Sequence, residues 1–287
     1  MSLSDYFQLT KPRITPLLIF VALGSSVIAT RGIPSVPTLV GLLVGGTLAS
    51  SGSLAVNSYL EMDIDSKMRR TQKRPLPSHR IVPPRNALAF GLILLAAGLL
   101  TAFITLNSFA TFFVALGAIV YIPIYTIFLK PRTAWNIVLG GFAGSCAALA
   151  GWYAVTLADP AAAWILAGLV FVWTPSHFWS LAVLMEEDYS AAGIPMLPSV
   201  VGSERASKYI VANTLILIPV SLLLSFFLGG MGLVIYLVAT LSFDSLLLAT
   251  NIKLLKSPTK ENAWLAFKFS APYLAVVFLI AMVGAVV

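Results

Sequence analysis

The sequence predicts an all-α integral membrane protein, a bundle of nine transmembrane helices. Three observations carry that expectation. Of the 287 residues, 59% are hydrophobic and only 10% are charged, against about a quarter charged in soluble domains. That composition excludes a soluble enzyme, a disordered chain and a fibrous one. Apolar stretches of about spanning length, roughly 17–25 residues, recur from end to end. They are too long and too uniformly apolar to be the alternating strands of a barrel. The basic residues also gather on alternate loops.

The first helix is expected over 14–30, behind a polar stretch that is not expected to be a cleaved signal peptide. The second, 37–60, carries Gly41, Gly45, Gly46, Ala49 and Ser53, small residues that let helices approach closely as scaffold. The third and fourth, 85–106 and 109–129, are joined at Asn107-Ser108. The fifth, 135–157, holds Cys146, the one cysteine of the chain, so no internal disulfide and no metal-binding cysteine pattern is possible. The sixth is placed at 161–184; the seventh and eighth, 206–228 and 231–252, meet at Gly229-Gly230; the ninth covers 263–286. Residues 1–287 read as a single transmembrane domain capped by two long loops, about 66–84 and 186–204.

The net charge of +7 would suggest nucleic acid in a soluble protein. Here 17 of the 18 lysines and arginines fall on one side of a nine-span topology, and only Arg31 falls opposite. The excess is therefore read as a topology signal that places the N-terminus and both long loops in the cytoplasm. The lipid bilayer is the expected surrounding, and no nucleic-acid partner is expected.

Each long loop starts at acids that close the helix before it. Asn57, Glu61 and Asp65 are spaced four apart, so they share one helix face within about 12 Å along the axis. Three acids, counting Asp63, at a helix C-terminus oppose the macrodipole and repel one another. Their oxygens suit a hard cation, and magnesium shares its ligands with a phosphate. The plainer reading is a solvated helix end balanced by the basic segment Lys67-Met68-Arg69-Arg70-Thr71-Gln72-Lys73-Arg74. Acids beside bases make sense together if the ligand is a diphosphate.

The sixth helix ends in Glu186, Glu187 and Asp188, consecutive residues that cannot share a face. Asp188 is the choice for a second metal-side carboxylate, with Glu187 as the alternative. His177 lies in the apolar run, where ionisable residues face the bundle interior. It is a structural histidine, an iron ligand or a proton carrier. Trp173, Phe178 and Trp179 form an aromatic wall around a flat substrate or pack against lipid. Lys130 and Arg132, beyond Tyr125, close the fourth helix and face the same diphosphate or snorkel to the interface. Asp244 and Lys268 are expected to form an ion pair between the last two helices.

These residues carry a resemblance. Asn57-x3-Glu61-x3-Asp65 resembles the first aspartate-rich motif of the UbiA family of intramembrane prenyltransferases. The likeness covers nearly the whole chain. It runs through Leu9-Thr10-Lys11-Pro12-Arg13, Asp63-Ile64-Asp65-Ser66-Lys67-Met68-Arg69-Arg70-Thr71 and Arg74-Pro75-Leu76. It continues in Thr174-Pro175-Ser176-His177-Phe178-Trp179 and in the stretch Asp188-Tyr189 to Pro198, which is similar to the haem-modifying branch of that family. Glu61 stands where the family usually has Asp, and Met185 where it has a basic residue, so only Asp188 carries over from the second cluster.

The resemblance implies nine helices around a central cavity, farnesyl diphosphate and haem b as substrates, and Mg2+ as cofactor. It implies that Asn57, Glu61, Asp65 and Asp188 are the catalytic metal ligands and that Arg70, Arg74, Lys130 and Arg132 hold the diphosphate. His177, Trp173 and Trp179 would hold the haem, and the two loops would close as a lid. A haem-pathway protein is an open partner. A quinone-precursor or lipid acceptor is the competing substrate, against which His177 and the 188–198 stretch argue. A cation-coupled transporter is the competing class. Transporters place charged sites near the midplane in inverted repeats, whereas these acids cluster at one membrane face, four helices apart.

Overall fold

The computed structural model describes residues 2–287, which are 80% helix, with no strand among them. Ser2 and Asp5 make a capping box that starts α1 (Leu3–Leu9). Pro16 opens α2 (Thr15–Thr30), and left-handed Arg31 ends it. Ser35 caps α3 (Val36–Leu60), which passes through a π-helical stretch at Gly41–Gly45. A short α4 (Met62–Lys67) follows, then α5 (Arg85–Thr105). Asn107 caps α6 (Ser108–Leu129), whose second half, Val120–Leu129, is π-helical around Pro123. The next helix, α7, is broken at Gly141 into Asn136–Gly140 and Phe142–Tyr153. Then come α8 (Pro160–Leu184), the short α9 (Glu186–Ala191) and α10 (Leu197–Val201), α11 (Ser203–Phe227), α12 (Gly230–Lys256) and α13 (Lys260–Val286).

Helices occupy all nine stretches expected from the sequence. Seven are long and apolar enough to cross a membrane; Thr15–Thr30 is shorter, and the 136–153 segment is interrupted. The outer helices leave apolar side chains bare. In α5, Ile93, Leu100, Phe103 and Ile104 are exposed, while most of α8 is buried. An apolar surface of that extent belongs in lipid, and the chain is an integral membrane protein.

Small residues bring the helices together. Gly52 and Gly91 lie where α3 crosses α5, and a Cβ on Gly91 would stand 2.9 Å from the Val56 nitrogen. Gly151 of α7 likewise lies against the Ala22 carbonyl of α2. One apolar core runs through α2, α7, α8, α12 and α13, including Leu149, Leu166, Leu169, Tyr236, Tyr273 and Phe278.

The Asp244–Lys268 ion pair does not form. Asp244 is buried, accepts from Tyr273 Oη at 2.7 Å and lies 2.9 Å from Ser221 Oγ. Lys268 is exposed. The hydroxyls meet the carboxyl without a cation, so the lysine is free to reach outward.

Candidate active site

Asn57 of α3, Glu61 at the break that follows it and Asp65 of α4 lie at one end of the bundle, and each meets one base. Lys11, in the turn before α2, donates to Asn57 Oδ1 at 2.6 Å. Lys130, just beyond α6, donates to Glu61 Oε1 at 2.6 Å. Arg74 donates to Asp65 Oδ2 at 2.8 Å. Asn57, Glu61 and Asp65 are all buried, so the two carboxylates must be paired to stay charged and the amide must be hydrogen-bonded. Burial works against charge on Glu61, but Lys130 and then Lys11 hold its carboxyl below the usual glutamate range. Burial opposes the charge of Lys130 as well, yet Glu61 keeps its ammonium above the ordinary lysine value. Lys11 is pushed down to about 8 by burial and the neighbouring Arg74, against the pull of Glu61 and Asp65.

Thr126 sets the orientation of Asn57. Its hydroxyl donates to the Tyr121 carbonyl at 2.8 Å, inside the π-helical turn, and so accepts from Asn57 Nδ2 at 3.0 Å. The amide therefore presents its oxygen to Lys11. Lys11, Asp65, Arg74 and Ser58 line a cavity of about 20 Å³, the volume of roughly one water. Asn57, Glu61 and Lys130 are not among the residues that line it.

The loop after α4 is packed rather than open. Thr71 Oγ1 donates to the Asp65 carbonyl at 2.8 Å, and Arg80 bonds Asp5 at 2.6 Å. Leu76 and Ile81 are buried with Leu9, Ala55 and Ala87. Met68 packs with Tyr189, Ile194 and Met196 from the loop after α8. The two long loops thus dock on each other, across a contact sealed by Asp188.

Four of the expected site groups lie apart from the paired acids. Asp188 does not join the other acids, and among the described residues no three His, Cys, Asp or Glu stand close enough to hold a metal. Its carboxylate accepts instead from the backbone N–H groups of Arg69 and Arg70, both at 3.2 Å. Glu187 is engaged by Lys260 at 2.7 Å. Arg70 is exposed and engages Asp188 through its backbone. Arg132 is exposed and donates to the Ile127 and Phe128 carbonyls at 2.8 and 2.9 Å, satisfying helix-end acceptors instead of facing the acids. Trp179 is buried against Trp135 and Tyr209, apart from the histidine.

His177 and Trp173 do come together. Their rings stack at 4.4 Å and 20°, and Phe267 of α13 stacks on the imidazole at 4.6 Å. The site residues that sequence reasoning missed are Lys11, Thr126 and Ser270. Lys11 carried a signal, a lysine one residue before Pro12 at the mouth of the first span. The other two are lone hydroxyls in apolar helices.

The model of the UbiA prenyltransferase family matches residues 17–282. The chain belongs to that family. A full-length likeness narrows the comparison within the UbiA family. Protoheme IX farnesyltransferase 1 of Cenarchaeum symbiosum is 46% identical, covering 97% of this chain and 94% of that one. Protoheme IX farnesyltransferases of Gloeobacter violaceus and Sulfolobus acidocaldarius are 44% and 40% identical over 96% and 98% of this chain and 90% and 96% of theirs. Solved structures share the UbiA fold. A digeranylgeranylglyceryl phosphate synthase superposes with a TM-score of 0.79 at 20% identity, covering 99% of this chain and 98% of that one. A UbiA homologue from Archaeoglobus fulgidus bound to DMAPP and Mg2+ gives 0.69 at 17% identity, covering 96% and 99%.

Proposed function

We propose that this UbiA-family chain transfers the farnesyl group of farnesyl diphosphate to a vinyl group of haem b, giving haem O and diphosphate. One observation carries the reading. The buried set Asn57, Glu61 and Asp65 is matched one to one with Lys11, Lys130 and Arg74, in a chain whose near-full-length relatives are named protoheme IX farnesyltransferase.

The donor set fits magnesium: two carboxylates and an amide oxygen, all hard and all buried. Asn57, Glu61 and Asp65 would hold it, and when bound it supplies positive charge to the leaving diphosphate. Lys11, Lys130 and Arg74, released from the acids, are then free to donate to the diphosphate oxygens as negative charge grows there. The allylic C–O bond breaks and both its electrons leave with the diphosphate. Apolar walls keep water from the farnesyl cation while the vinyl π-electrons form the new C–C bond. Water adds to the cation left on the porphyrin side chain and loses a proton, which leaves the hydroxyl of haem O. His177, with Trp173 beside it, holds the haem by its iron. Asp188 acts by fastening the two loops over the acids. The basic asymmetry supports a cytoplasmic position for this end of the bundle.

The test is product analysis with purified protein. Haem b, an aromatic acceptor and a lipid acceptor are each offered with labelled farnesyl diphosphate, with and without magnesium. Haem O is expected only with magnesium and is lost in Asp65→Ala. Label appearing only in the aromatic or lipid acceptor would overturn the proposal.

A further inference from the structure

The hydrogen-bond partner of His177 bears on which of its ring nitrogens carries the proton. Ser270 Oγ donates to the Phe267 carbonyl at 2.8 Å. A hydroxyl has one proton to give, and this one is spent. His177 Nδ1 lies 2.5 Å from the same Oγ, which accepts from the ring while its own proton stays on the Phe267 carbonyl. In that arrangement Nδ1 bears the hydrogen, and Nε2 keeps its lone pair. Among the described residues Nε2 has no hydrogen-bond partner. The main chain of Ser270 is used too: its carbonyl accepts from Trp173 Nε1 at 2.8 Å. One residue of α13 thus holds both rings of the α8 stack, the tryptophan by its backbone and the histidine by its side chain.

We propose that Ser270 is a positioning residue that locks His177 in the Nδ1–H form and so presents Nε2 as the nitrogen ligand for haem iron. This rests on the haem reading above. Neutral imidazole binds a metal through its unprotonated nitrogen, and the partner of the other nitrogen selects which one that is. Without the Ser270 acceptor the tautomer is free, and the fraction able to bind iron falls. Ser270→Ala is a clean change, because the carbonyl that holds Trp173 remains.

Two measurements test the proposal separately. The chain has two histidines, so His79→Gln leaves His177 as the single 15N-histidine signal. In that background Nδ1 is expected to show the protonated shift and Nε2 the bare one. Ser270→Ala should bring in the Nε2–H form, and Ser270→Thr should not. A predominant Nε2–H form with Ser270 intact overturns the proposal without involving haem. In the second measurement the full chain is titrated with ferric haem b and followed by absorbance and electron paramagnetic resonance. Ser270→Ala is expected to weaken haem binding about tenfold or more and to lose the nitrogen-ligated signature that His177→Ala also loses. A changed signature in His177→Ala with wild-type haem affinity in Ser270→Ala overturns the role of Ser270 alone. An unchanged signature in His177→Ala overturns the ligand role together with the haem-side reading.

Discussion

At the residue scale, three bases are held by two carboxylates and one neutral amide, so single side chains have separable effects. Thr126 fixes which way the Asn57 amide points. Thr126→Val removes that bond and lets the amide turn over. The magnesium concentration for half-maximal activity should then rise about tenfold, the usual scale for an outer partner of a metal ligand, while Thr126→Ser stays near wild type. The Glu61–Lys130 pair gives a pH signature. Glu61 is held below its ordinary value of 4.5 and Lys130 above 10.5. The stability that the pair contributes is therefore fully present between those two values. It is lost as pH falls through the depressed Glu61 value, or rises through the elevated Lys130 value. Lys130→Met should cost about 3 kcal/mol near neutral pH. The gap to wild type in thermal melts should close below pH ~4.5; a gap that persists at acid pH would show that the loss is packing. The motif was legible in the sequence from its spacing of four, although the helix breaks at Glu61 and leaves Asp65 on α4. Its bases were not, since Lys11 lies 46 residues from Asn57 and Lys130 lies 69 from Glu61. The separation of Trp179 from His177 follows from helix geometry: two residues further on is about 200° around the helix, the opposite face.

At the scale of elements, the two long loops behave as one docked cap. Asp188 bonds two consecutive backbone N–H groups of the other loop, and Met68 of that loop packs on Ile194 and Met196. Asp188→Ala leaves those amides without their acceptor and should loosen the 66–74 segment. Limited trypsin digestion reads this directly, because Lys67, Arg69, Arg70 and Lys73 are all exposed. Cleavage there should run several-fold faster in the variant, with no change in rate at Lys253 or Lys256. Equal rates at every site would mean that Asp188 does not hold the cap. Loop length and acid content were visible in the sequence, and so was the apolar reach of each span. The docking was not, because Asp188 acts on backbone groups, which every sequence provides alike. The π-helical half of α6 was hidden for the same reason. Pro123 marks it, but a proline in a helix announces a kink rather than the carbonyl that Thr126 uses.

At the scale of the whole molecule, the site depends on how closely the helices cross, since its groups come from the ends of α3 and α6 and from the turns beside α2 and α4. The crossing of α3 and α5 is the tightest constraint on Asn57. A Cβ on Gly52 would run into the Leu95 nitrogen and stand 2.6 Å from the Gly91 carbonyl. These are backbone atoms, which cannot rotate aside, so α3 itself must move. Gly52 lies five residues, less than two turns, before Asn57, and the displacement carries straight to the acids. Gly52→Ala should therefore cost about 1–3 kcal/mol by overpacking, lower the melting temperature in detergent and reduce activity more than the stability loss explains. Gly168 of α8 is the control, because nothing lies within 4 Å of a Cβ added there. Gly168→Ala should be neutral or stabilising by up to about 1 kcal/mol, the helix-propensity gain, with activity unchanged. If both variants melt alike and retain full turnover, the crossing of α3 on α5 does not set the position of the acids.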